Sequence, residues 1–229
     1  YAKAASAAKE LRFAKVGMAG FRDMNLYGTQ ADGPSLKRVV GSEIETFEML
    51  EIEQRYQKVT DAQIQEVIDK CMSKWNFLKP ANPVSMKMAA GYYLAVKAIC
   101  DERGYEAISL KDVDGMKKLE GFPPAMVFML LERYCSVLTV PENDVMGAVT
   151  QLIMKYISGQ EIVPYMEYYE FFENSMLIGV PDFVPKAATQ GDVTVLPAAF
   201  GLLNASLLNV SKVKTGYVTC ARLVYLKGK

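Results

Sequence analysis

Apolar positions recur at helical spacing in some stretches of the chain and run continuously in others, and the alternation of the two textures predicts its elements. Residues 1–11 place small residues and charges at helical spacing, and residues 13–20 follow as a short apolar run bounded by glycine. This predicts a helix feeding a buried strand. Ser35 opens a capped helix, residues 45–51 form a second strand, and residues 60–75 carry apolar residues at the helix period. Residues 85–103 make a long helix with Ala, Met and Leu on one face, ended by Gly104 as a C-cap. Strands at 107–110 and 135–140 flank a helix over 124–133. Asn143 or Asp144 then caps a helix over 145–157 that Gly159 terminates.

Strands and helices in this order predict an α/β fold over residues 1–159: a mostly parallel, Rossmann-like sheet with helices on both faces. Beyond that point, short β-branched and aromatic runs broken by Pro, Gly and Asn predict a β-rich, barrel-like domain over 160–229. Its clearest strands are 192–196 and 216–225. The chain opens at Tyr1 inside a helix and closes on an unfinished strand, so the expectation is that residues are missing at one or both ends.

Composition narrows the function classes. At 229 residues the chain can hold one α/β domain and part of another. Acidic and basic residues balance at 26 each, with no long run of Lys or Arg, so nucleic acid is not the expected partner. No stretch of eighteen apolar residues and no signal-peptide layout occurs, which predicts a soluble, cytoplasmic protein without membrane partners. Cys71, Cys100, Cys135 and Cys220 form no CxxC pair and read as reduced, mostly buried residues. The chain has no histidine, which excludes a self-contained Ser-His-Asp or Cys-His site and any imidazole metal ligand from within it.

In open parallel sheets, ligands gather at the loops after the carboxyl ends of the strands. Three such loops carry charge: residues 20–25 with Arg22 and Asp23, residues 111–115 with Lys111, Asp112 and Asp114, and residues 141–144 with Glu142 and Asp144. Taken singly, each reads at least as well as a solvated turn or a helix cap. Together they point to a site for a polar small molecule. Neither GxGxxG nor GxxxxGK[ST] is present, so nucleotide binding lacks its backbone cradle. Glu142 and Glu167 each close an apolar run, and Glu167 lies in the strongly aromatic stretch 163–172. A carboxylate so surrounded must be paired, protonated or metal-bound, and oxygen ligands suit a hard divalent ion such as manganese or magnesium. On a strand over 165–172, Glu167 would share a face with Tyr165 and Tyr169 while Glu170 points the other way. The plainer reading makes Glu167 a salt-bridged or interfacial residue among core aromatics.

The stretches 20–24 (GFRDM), 109–115 (SLKDVDG), 140–151 (VPENDVMGAVTQ) and 165–169 (YMEYY) resemble the L-fucose/L-arabinose isomerase superfamily, and the likeness extends over essentially the whole chain. Its most specific part is a carboxylate in a PEND-type turn opening a small-residue helix, followed by a second carboxylate in an aromatic strand. The resemblance implies a metal-dependent aldose-ketose isomerase. Glu142 and Glu167 would bind manganese, or another divalent cation, and also serve as acid and base, with Arg22, Lys111 and Asp112 nearer the hydroxyls of a monosaccharide. It also implies a homo-oligomer, trimer or hexamer, and a three-domain chain of which this sequence holds the second domain and the opening of the third. Family members often carry a histidine where this chain has Val180, and another that binds metal near the C-terminus. The alternative is therefore a non-catalytic carbohydrate-binding or regulatory relative, with a purely structural α/β module as a third class.

Overall fold

The computed structural model describes residues 1–161, 163–179, 183–198 and 206–226. Its first part runs α1 (Ala2–Leu11), β1 (Lys15–Ala19), α2 (Gly33–Val39), β2 (Glu43–Phe47), α3 (Met49–Tyr56) and α4 (Asp61–Val67), the last extended by a π-helical turn, Ile68–Met72. There follow β3 (Asn76–Phe77), α5 (Pro83–Arg103), β4 (Ala107–Leu110), a second π-helical turn, Asp112–Lys117, then α6 (Ala125–Cys135), β5 (Leu138–Val140) and α7 (Val145–Ser158). Local chemistry sets the ends of these elements. Asn82 caps α5 by accepting from Val84 N with Pro83 in the first turn, and Gly104 closes it at φ 68°. Thr60 and Gln63 form a capping box on α4.

Four strands form a parallel sheet in the order β2-β1-β4-β5. All four residues of β4 are buried, because apolar clusters cover the sheet on both faces. One cluster joins Phe47, Ile108 and Leu110 to residues of α3, α5 and α6, including Ile52, Val96, Phe128 and Leu131. The other joins Val16, Ala107, Leu138 and Val140 to Leu11, Leu36, Val149 and Leu152 of α1, α2 and α7. This is the expected Rossmann-like α/β class. The second strand lies over 43–47 rather than 45–51, because Met49–Tyr56 forms a helix that buries Ile52.

Past Gly159 the described residues add β6 (Glu167–Phe171), β7 (Met176–Gly179), β8 (Thr194–Leu196) and β9 (Leu208–Asn209). β6 and β7 form a separate antiparallel pair, whereas β8 lies between β3 and β9 in a three-stranded sheet. Phe183, Val193, Val195 and Leu207 belong to the same apolar cluster as α5 and α6. Residues 216–225, expected as a strand, contain none: among the described residues no neighbouring backbone offers them a ladder, and side chains hold them instead. Cys100 is buried, Cys71 and Cys135 are half-buried, and Cys220 is exposed on that segment; all four are free thiols. No helix among the described residues is long and apolar enough to cross a membrane. Val180 lies outside the described residues.

Candidate functional site

Because β1, β4 and β5 are parallel neighbours, their three charged loops emerge at one edge of the sheet, and hydrogen bonds tie them together. Asp23, fully buried, accepts from Met24 N, Val113 N and Asp114 N at 3.0, 2.8 and 2.8 Å. Asp114 accepts in turn from Met24 N at 2.8 Å. Asn143, also fully buried, donates Nδ2 to the carbonyls of Ala19 and Phe21 at 3.0 and 2.7 Å, while its backbone N donates to Leu110 O. Its Oδ1 meets no hydrogen-bond partner among the described residues.

These contacts hold a backbone that L-residues resist. Glu142 and Asn143 have φ of 61° and 52°, and Met24 and Asn25 have 44° and 58°. A non-glycine residue in this left-handed region costs about 1–2 kcal/mol and persists only where its surroundings over-determine it. Asp112 supplies part of that restraint. It is completely buried, its Oδ1 accepting from Glu142 N at 2.8 Å and its Oδ2 lying 2.7 Å from Lys117 Nζ.

At the next residue, Asp144 caps α7 by accepting from Gly147 N at 2.9 Å. Its Oδ2 accepts from Tyr165 Oη at 3.0 Å, and both oxygens receive the fork of Arg222, Nη2 at 2.9 Å from Oδ1 and Nη1 on Oδ2. Arg222 Nη2 also donates to Gly28 O at 3.1 Å. Burial, and after it the charges of Asp144 and Glu167, push the Tyr165 hydroxyl well above the ordinary phenol range. For Arg222, burial acts to lower the pKa, but the bonds to Asp144 more than offset it and the guanidinium is raised.

Glu167 is half-buried at the start of β6 and lines a cavity of about 620 Å³ beside α7, with Thr150, Gln151, Tyr165, Tyr168 and Cys220 among its neighbours. A volume of this size suits a small ligand. The aromatic setting expected around Glu167 is not a core. Tyr168, Tyr169, Phe171 and Phe172 are all more than half exposed, because among the described residues no second sheet packs over the β6–β7 pair. Nor does the expected alternation run from Tyr165 to Tyr169: the strand begins at Glu167, and a register shift between Tyr168 and Glu170 interrupts it.

Of the five residues singled out in the sequence, Glu167 lines this cavity and Arg22, Lys111, Asp112 and Glu142 do not. Glu142 is half-buried on the strained turn. Lys111 is anchored through its backbone N to Ala19 O and lies against Gly20. Arg22 is folded into its own loop, donating to Asn25 Oδ1 at 3.2 Å and stacking 4.2 Å from the Tyr27 ring centroid. The Asp112 carboxylate is engaged beneath the Glu142 turn, and Glu167 faces the cavity. Asp23, Asn143, Asp144, Tyr165 and Arg222 went unassigned in the sequence reading beyond a capping role for Asn143 or Asp144, which falls to Asp144. Nothing local marks Arg222, whose partner lies 78 residues away.

Among the described residues no group of three or more His, Cys, Asp or Glu side chains is assembled to hold a metal. The carboxylates Glu142 and Glu167 have the donor chemistry of a hard divalent cation, which is often held by one or two carboxylates with water and substrate oxygens completing its shell. Compared with protein-family models and with curated protein sequences, the chain matches none.

Proposed function

We propose that this protein is an aldose-ketose isomerase acting on a monosaccharide, with Glu142 and Glu167 as its acid/base pair and as ligands of a manganese or similar divalent ion. The observation that carries the reading is the turn at Glu142. A carboxylate sits on a left-handed backbone at the ligand-binding edge of a parallel sheet, held there by buried Asp112 and Asn143. Glu167, on the neighbouring cavity, is the second carboxylate that such chemistry needs. The resemblance of the PEND turn and the YMEYY stretch to the L-fucose/L-arabinose isomerases supports the same assignment.

In this mechanism one carboxylate removes the proton from C2 of the aldose while O1 gains a proton, giving a cis-enediol. The carbon-bound proton is then delivered to C1 as O2 loses its own, leaving the ketose. A bound divalent cation supplies Lewis acidity that offsets the charge developing on the two oxygens. In this reading Lys111 and Arg22, on adjoining loops, would turn to the remaining hydroxyls, and Asp112 fixes the backbone from which Glu142 projects.

Manganese calorimetry on the parent protein, Glu142→Gln and Glu167→Gln, followed by an aldose panel read by NMR, tests the proposal. Binding lost in both variants, with turnover by the parent, is the expected result. Metal or sugar binding without turnover would convert the assignment to a carbohydrate-binding relative, and no metal binding by the parent would overturn the site.

A further inference from the structure

We infer that Tyr165 and Arg222, acting through Asp144, hold the turn that carries Glu142 and the strand that carries Glu167 in register with one another. The inference rests on the reading of those two glutamates as a functional pair and deepens it by naming positioning residues.

Glu142 and Glu167 belong to different sheets: one follows β5 of the four-stranded sheet, the other opens the β6–β7 pair. Asp144 lies two residues after Glu142, and Tyr165 two residues before Glu167. The Tyr165 Oη to Asp144 Oδ2 bond therefore joins the two segments close to both carboxylates. Gln151 Nε2 to Val163 O, at 2.6 Å, is a second fastening, but it meets α7 more than two turns beyond Glu142.

Asp144 is saturated by these contacts. Gly147 N and Arg222 Nη2 share Oδ1, and Tyr165 Oη and Arg222 Nη1 share Oδ2. Its side chain is 2% exposed against 38% for that of Arg222, so the cation reaches in from the surface to a carboxylate that cannot reach out. A two-point fork fixes orientation as well as charge. The local sequence leaves no slack: a Cβ on Gly147 would fall 2.6 Å from Asp144 Oδ2 and 3.0 Å from Tyr165 Cε2. Through Gly28 O, Arg222 also ties in the loop between β1 and α2. An anchor so placed sets how the two segments that carry the carboxylates lie against each other, in the way that outer-shell groups orient the ligands of a metal site.

Tyr165→Phe is the primary variant, because it removes one hydrogen bond and keeps the ring. Arg222→Ala would strand a buried carboxylate and is destabilising on that ground alone, so Arg222→Lys, which loses the fork but keeps the charge, is the second. Two readouts are taken. One is the side-chain carboxyl 13C signals of glutamate-labelled protein at a single neutral pH without added metal, with Glu142 and Glu167 assigned from their Gln variants. The other is manganese affinity by calorimetry. The expected result is that Tyr165→Phe and Arg222→Lys each shift the signals of both Glu142 and Glu167 while distant glutamates such as Glu66 stay in place, and that manganese affinity falls about tenfold. Movement of the Glu167 signal alone, or of neither, overturns the inference and reduces the anchor to a simple fastening of the segment. If the parent protein takes up no manganese, the site assignment fails, and the carboxyl signals still decide whether one anchor governs both residues.

Discussion

Glu142 sits on a turn whose flanking residues, Pro141, Asn143 and Asp144, are buried, whereas Glu167 opens a hairpin whose next four residues face solvent. Around Glu142 the restraint is distributed: Asp23, Asp112 and Asn143 each satisfy backbone groups of other loops, so the left-handed backbone of the turn rests on several buried contacts, while its placement against the β6 strand rests on Asp144. Around Glu167 the restraint includes the Tyr165–Asp144 contact, the Gln151 bond and the ladder to β7. A two-stranded pair without a packed face is marginal by itself. The difference teaches that the proposed site would take one arm from a well-packed part of the fold and the other from an element with little stability of its own.

The sharpest way to probe this contrast is to cut into each side and compare the losses. Phe128→Ala, in the fully buried wall of α6, is expected to cost about 3–5 kcal/mol in urea unfolding, while Phe171→Ala on the 73% exposed face of β6 should stay within about 0.5 kcal/mol. Comparable losses would erase the distinction. Next in size, Asp23→Ala deprives Val113 N and Asp114 N of their acceptor, Met24 N keeping Asp114, and should cost about 3 kcal/mol. An unchanged melting temperature would show that the loops do not depend on one another.

Glu132 offers a pH-resolved test of the packed side. Burial pushes its carboxyl up to about 8, with the N–H and O–H of Thr139 pulling the other way. The folded state then holds a proton that the unfolded chain releases near 4.5, so this contribution is complete below that pH and declines as pH rises toward 8. Glu132→Gln, which keeps the acceptor to Thr139, should gain on the parent by a few kcal/mol, in order of magnitude, between pH 5 and pH 8.5. Parallel thermal-melting curves for the two proteins across that range would contradict the assignment. The smallest effect is kinetic: amide hydrogens of β6 and β7 should exchange faster than those of β4, whose residues are buried on both faces. Equal protection would place the hairpin in the same cooperative unit as the sheet.

The α/β order, the α5 ends at Asn82 and Gly104, and the three charged strand ends were legible because each rests on a local rule: hydrophobic period, capping or strand-end position. Glu142 could be singled out for the same reason, as it follows the buried strand β5. The reading failed where a local pattern needed a distant partner. Residues 216–225 alternate like a strand but lie along the α/β unit without a ladder, and the aromatic run after Glu167 reads as core but faces outward.

By itself, then, the sequence determined the parallel sheet, its helices and the loops that carry charge, since periodicity and turn chemistry act over a few residues. Only the tertiary structure decided that Asp23 and Asn143 bind loops more than 80 and 120 residues away, that Glu142 and Asn143 are left-handed, and that Arg222 closes on Asp144. Buried polar groups must find partners wherever the packed chain brings them, and that requirement leaves no local signature along the chain.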